Sequence, residues 1–171
     1  IIHEHVSGLL IGKIVETEAY MGAEDQAAHS FGNRRTKRTE VMFGEPGLIY
    51  TYQMHTHTLI NVVAAPMGIP QAILIRAVEP IEGLEQMKVN RRELPMKQWT
   101  NGPGKLTKAM AITMDYYGHH WSEKPLYISE GEVAPSISTG PRIGIENSGE
   151  AVHYPYRFWE TDNPYVSKMR K

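Results

Sequence analysis

The sequence predicts a single α+β domain, with a mixed, largely antiparallel sheet, flanking helices and a protruding β-hairpin. Three observations lead there. The chain has 171 residues, 41% of them hydrophobic, the size of one domain with its own core. Strand-like and helix-like segments are interleaved, yet several links are too short for the helical crossover that parallel strands need. The 15 Gly and 11 Pro are many for this length, which favours short elements joined by loops.

The elements follow from spacing. Leu9 to Tyr20 reads as a strand carrying the β-branched Ile11, Ile14, Val15 and Thr17. A turn signal at Glu45-Pro46-Gly47 precedes a second strand, Leu48 to Tyr52. Leu59 to Ala65 and Ala72 to Val78 are apolar enough to be buried strands, parted by a turn at Pro66-Met67-Gly68-Ile69-Pro70. Pro80 to Arg92 predicts a helix, with Pro in its first turn and Ile81, Leu84 and Met87 at helical spacing. A second helix is expected after Pro103, with Leu106, Ala109, Met110 and Thr113 on one face. Short strands are expected at Leu126 to Ser129, Ile143 to Ile145 and Tyr156 to Trp159.

Composition excludes several classes. The chain has no cysteine, so it holds no disulfide, thiolate zinc site or cysteine nucleophile. No run of about 18 apolar residues exists, so no membrane helix is expected. The first residues lack a signal-peptide pattern, and a cytoplasmic location is expected. The chain does not begin with Met, so residues before Ile1 are expected to be missing. A net charge of −1 argues only weakly against nucleic acid, because phosphate binding needs a local basic face. Arg34, Arg35, Lys37 and Arg38 offer one, with no acid among them. The same run would also suit a solvated loop.

Three segments could carry chemistry. In a strand from Ile14 to Tyr20, alternation puts Glu16, Glu18 and Tyr20 on one face, with Ile14 before them. The two glutamate Cα atoms would lie roughly 7 Å apart. Paired carboxylates can hydrolyse glycosidic bonds by acid–base catalysis; a salt-bridged, solvent-facing strand would give the same pattern. Alternation does not say which glutamate would be the base. Tyr50 and Tyr52 share a strand face ahead of a polar hairpin tip, Gln53 to His57. Such aromatic and imidazole groups can stack on bases or wedge into a duplex. His55 and His57 have metal-ligand spacing, yet His29, His119 and His120 are not spaced to complete a zinc site. Asn101-Gly102-Pro103-Gly104-Lys105-Leu106-Thr107 sets glycines and a lysine at a helix start, which suits either a phosphate contact or a plain structural turn. It is not a Walker A loop, and no Gly-x-Ser-x-Gly elbow is present.

Taken in order, these segments resemble the alkyladenine (3-methyladenine) DNA glycosylase family. The similar residues are Val15-Glu16-Thr17-Glu18-Ala19-Tyr20, then Ala27-Ala28-His29-Ser30, Pro46-Gly47, Tyr50-Thr51-Tyr52, Asn61, Leu74-Ile75-Arg76-Ala77, Glu79-Pro80, Gly102-Pro103, Lys105-Leu106 and Arg142-Ile143-Gly144. The resemblance implies a curved sheet and no cofactor or metal. It implies that Glu18 activates a water held by Arg76 and the Ile143 carbonyl. Tyr20, His29 and Tyr52 would hold a flipped base, and Asn61 would screen it. His55 stands where the family carries its intercalating residue, on a hairpin one residue shorter. Arg34, Arg35, Lys37 and Lys105 would meet phosphate. The expected partner is double-stranded DNA containing alkylated purines, bound by a monomer. The expected activity is monofunctional base excision, since no lysine is placed for a Schiff base. The amino-terminal part of the family domain is expected to be largely missing. A nucleoside hydrolase using Glu16 and Glu18, a non-catalytic minor-groove binder and a zinc hydrolase are the alternatives.

Overall fold

The computed structural model describes residues 1–167. Among these, eight strands form one antiparallel sheet: β1 (Ile2–His5), β2 (Gly8–Tyr20), β3 (Ile49–Met54), β4 (His57–Val63), β5 (Ala72–Glu82), β6 (Leu126–Tyr127), β7 (Ile137–Gly140) and β8 (Arg157–Glu160). Their order is β3-β4-β5-β2-β1-β6. One edge of β2 pairs with β1 through Gly8–Ile11 and then with β8 through Glu16–Glu18, and β8 pairs in turn with β7. Two short helices, α1 (Leu84–Asn90) and α2 (Pro103–Ala109), flank the sheet. The α+β architecture expected from the sequence is the one found.

Alternation along the strands sorts side chains into two cores. Leu10, Ile49, Ile60, Ile75 and Val78 pack with Met87 of α1 and with Leu106, Ala109 and Met110 around α2. Tyr50, Tyr52, Leu59, Val63, Ala72 and Leu74 form the second cluster with Val41, Met42 and Phe43. Directly paired residues share a sheet face. The pairings Tyr50–Asn61, Asn61–Leu74, Leu74–Glu18 and Glu18–Arg157 therefore make one row across five strands.

The β2–β5 pairing shifts register at three places, and two of these are single-residue bulges near the glutamates. Ile14 pairs with Val78, Glu16 with Ala77 and Thr17 with Ile75, so Val15 and Arg76 are the unpaired extras. The first bulge corrects the expectation that Ile14 shares a face with Glu16. It resets the phase, and Ile14 packs on the α-helical core instead. The second lets Arg76 leave the regular alternation, which is how bulges re-aim a side chain.

Other expectations need correction. Pro80 does not open a helix: β5 runs through Pro80 to Glu82, and α1 begins only at Leu84. Proline's fixed φ suits either element. Gly83 decides, with φ of 78° and Leu9 O only 2.5 Å from where a Cβ would sit. Thr113 is exposed beyond the end of α2 and accepts a hydrogen bond from the Asp115 amide. Ile143 to Ile145 is a bend, because Gly144 takes φ of 79°. Leu126 to Ser129 contributes only the two-residue β6. β1 and β7 escaped the alternation rule because polar residues such as His3 and Ser138 interrupt them. His3 is nevertheless buried, bonded through Nδ1 to the Met110 carbonyl and through Nε2 to the Tyr116 hydroxyl.

Candidate active site

A cavity of about 180 Å³ opens on the second core, with Tyr20, His29, Tyr50, Tyr52, Met54 and Asn61 among the residues lining it. Its volume is several times that of one water. The His29 ring meets Tyr52 edge-on at 4.6 Å between centroids, the T-shaped geometry aromatic pairs favour. His29 Nδ1 lies 2.8 Å from the Tyr50 hydroxyl, and Arg38 Nη2 lies 2.9 Å from His29 Nε2. Arg38 Nη2 also lies 3.3 Å from His29 Nδ1, so the guanidinium faces both ring nitrogens. The Asn61 amide donates to the Tyr50 carbonyl at 2.9 Å.

Behind the cavity lies an ionic cluster. Glu18 has no exposed surface. Its Oε1 accepts from the Ile143 amide at 2.7 Å and pairs with Arg76 Nη1 at 3.2 Å; its Oε2 accepts from the Tyr20 hydroxyl at 2.9 Å. Glu18 thus reaches the cavity through Tyr20, which lines it. Burial, and next the Glu18 charge, hold the Tyr20 phenol far above its usual value and so protonated. Glu16, also buried, accepts from Arg76 Nε at 3.0 Å and Arg157 Nε at 2.7 Å. Two carboxylates face two guanidiniums, so the cluster is formally neutral, as buried charges require.

Arg142 supports this arrangement from the side. Its guanidinium forks onto Asp25, Nη1 to Oδ2 at 2.5 Å and Nη2 to Oδ1 at 2.8 Å. It lies 4.7 Å from the Tyr20 ring centroid, and Ile143 follows it in the chain.

The sequence-predicted site residues separate into groups. Glu18, Arg76, Ile143 and Tyr20 come together, and Tyr20, His29, Tyr52 and Asn61 wall the cavity. Ile143 meets Glu18 through its amide N–H. His55 caps a two-residue hairpin turn with φ of 55° and is exposed. Arg34, Arg35 and Lys37 are exposed on the loop beside the cavity. The basic run does find an acid: Arg35 forks onto Glu40 at 2.6 and 2.9 Å. Lys105 donates to Asn101 Oδ1 at 2.8 Å at the start of α2. Sequence reasoning missed Asp25, Arg157, Ser167 and the roles of Arg38 and Arg142.

Burial first, and then Arg38 and Arg34, depress the His29 pKa to about 4 from an ordinary 6.5. The imidazole is thus neutral near pH 7, and a cation could stack on it without repulsion. The unfolded chain takes up this proton first, so His29 makes the fold less stable as pH falls from 6.5 toward 4. Replacing Arg38 by Gln is expected to raise the His29 pKa and soften that loss. Imidazole NMR titration checks it; an unmoved midpoint would refute the role given to Arg38.

Fold and site define a single-sheet α+β protein with an aromatic-walled cavity and a neutralised carboxylate cluster behind it. The chain belongs to the methylpurine-DNA glycosylase (MPG) family, whose sequence model matches residues 1–164. Relatives carrying the provisional name 3-methyladenine DNA glycosylase include proteins of Bacillus velezensis and Bacillus subtilis, 65% and 61% identical over 98% of this chain and 86% of theirs. A Listeria monocytogenes protein of the same provisional name is 51% identical over all of this chain and 83% of its own.

Proposed function

We propose that this chain is a monofunctional DNA glycosylase that flips alkylated purines, of the 3-methyladenine and 7-methylguanine class, out of duplex DNA and hydrolyses their N-glycosidic bond. The observation that carries this is Glu18: a fully buried carboxylate hydrogen-bonded to a phenol that lines an aromatic cavity. A base inside a duplex is out of reach unless it is extruded into such a cavity. A ring made cationic by alkylation stacks against Tyr20, His29 and Tyr52 with a gain of about 0.5 to 2 kcal/mol over its neutral parent. Asn61, tied back to Tyr50, screens the ring at its edge.

The chemistry needs one base. A carboxylate has about four acceptor directions, and three of those on Glu18 are taken. The remaining one, on Oε2, takes a proton from water positioned by Arg76 and the Ile143 carbonyl. The water oxygen bonds to the sugar C1′ as the glycosidic bond breaks. The bond's electron pair goes to the base nitrogen and cancels its positive charge, so no acid is required. The Glu18 charge favours the oxocarbenium-like sugar. Among the described residues no lysine lines the cavity, consistent with excision without a Schiff base. His55, on the hairpin tip, serves as the wedge that fills the vacated stack. The protein acts as a cytoplasmic monomer, associated with the nucleoid if bacterial. No described helix is long and apolar enough to cross a membrane.

Incubation with methylated duplex DNA, followed by identification of the released base, tests the proposal. Free 3-methyladenine or 7-methylguanine is the expected product. No release would end it, and release from free nucleosides alone would favour a nucleoside hydrolase using Glu16 and Glu18.

Arg34, Arg35, Lys37 and Lys105 make the phosphate contacts on this proposal. Changing Arg34, Arg35 and Lys37 together to Gln is expected to flatten the plot of log binding constant against log salt by about 2 to 3 units. An unchanged slope would assign the loop to solvent.

A further inference from the structure

Ser167 lies far along the chain from the site yet is 7% exposed within its ionic cluster. Its amide donates to Glu16 Oε2 at 2.7 Å and its hydroxyl to Glu16 Oε1 at 2.7 Å. The same hydroxyl accepts from Arg76 Nη2 at 3.4 Å, and the Ser167 carbonyl accepts from Arg157 Nη2 at 3.0 Å. Arg76 Nε is held by Glu16 at 3.0 Å. One edge of the Arg76 guanidinium, Nε and Nη2, is thereby pinned by two different groups. Because the group is planar, pinning that edge fixes the direction of Nη1, which points at Glu18 from 3.2 Å.

We infer that Ser167, acting with Glu16, is a positioning residue that clamps Arg76 so that its free edge serves Glu18. This rests on the role proposed for Glu18. Charge balance alone does not require the serine hydroxyl, since Glu16 already holds two guanidinium Nε–H groups. Without the hydroxyl, that edge of Arg76 is held at a single point, Nε on Glu16, and can pivot. It can then turn both donors of that edge onto Glu16, since guanidinium groups favour forked contact with a carboxylate. Glu18 would lose its cation and the water its anchor. Neither change touches the aromatic wall, so lesion binding should persist.

The test compares wild type, Ser167→Ala, Ser167→Thr and Glu18→Gln on a duplex carrying one 7-methylguanine, at a temperature where all are folded by circular dichroism. Ser167→Ala is expected to lower kcat about tenfold, the worth of one hydrogen bond to a charged group, with KM and Kd for the duplex within about twofold. Ser167→Thr, which restores a hydroxyl, is expected to recover most of kcat. A wild-type kcat for Ser167→Ala, a loss confined to KM, or no rescue by threonine would each overturn the inference. If wild type releases no base, the proposed role of Glu18 fails and takes this inference with it. If wild type is active and Ser167→Ala matches it, only the inference fails.

Discussion

Glu18→Gln is expected to lower base release by about a hundred- to ten-thousand-fold, the usual contribution of a positioned general base, while leaving binding to lesion DNA intact. The variant should fold. The new carbonyl can still accept from the Ile143 amide, and the Tyr20 hydroxyl can turn from donor to acceptor for the new NH2 group. Arg76 keeps Glu16 as a partner. Single-turnover rates and duplex affinity, measured side by side, check this. Base release equal to wild type would mean that another group is the base; no release by the wild type, with duplex binding intact, would leave a minor-groove binder. Undiminished activity in the presence of a chelator would remove the zinc hydrolase. Among the described residues no three His, Asp or Glu side chains gather around His55 and His57.

Part of the cavity wall was legible in the sequence, because alternation over a few residues places Tyr20, Tyr50 and Tyr52; His29 and Asn61 were given to it only through resemblance, and residues 145–148 were not foreseen. Tyr50 and Tyr52 are two apart on one strand, and so are Glu16, Glu18 and Tyr20. A period of two is enough to place each set on one face. The glutamates could not be told apart on that basis. Their difference comes from contacts distant in sequence: Ile143 N–H and the Tyr20 hydroxyl on Glu18, Arg157 and Ser167 on Glu16. The bulges at Val15 and Arg76 were equally hidden, since no local residue preference marks them. Arg76 was named only through resemblance; the bulge explains how its side chain reaches both carboxylates. The helix expected from Pro80 failed for a related reason. Proline and spaced apolar residues suit a strand end as well as a helix start, and Gly83, with its positive φ, decides where β5 stops and α1 begins.

Arg142→Ala is expected to cost about 3 to 5 kcal/mol of folding stability, as removal of one partner from a buried ion pair typically does. Arg142 and Asp25 are 5% and 2% exposed, so Asp25 left alone would be a buried charge without a counter-ion. The Met21 and Ala27 amides, which donate to Asp25 at 3.0 Å each, offset only part of that. The Ala19 carbonyl would lose its donor at 2.8 Å, and the Tyr20 ring would lose the guanidinium stacked on it. Denaturant unfolding with a fixed m-value checks the magnitude; a loss below about 1 kcal/mol would show that water or rearrangement replaces the pair. Replacing Asp25 and Arg142 together by Asn and Gln separates charge from packing, because no ion is then stranded. The double variant should recover a large part of the stability. It should not recover full activity. Arg142 precedes the residue whose amide orients Glu18, and its cationic face backs Tyr20, so the same side chain that secures the fold also aims the proposed base.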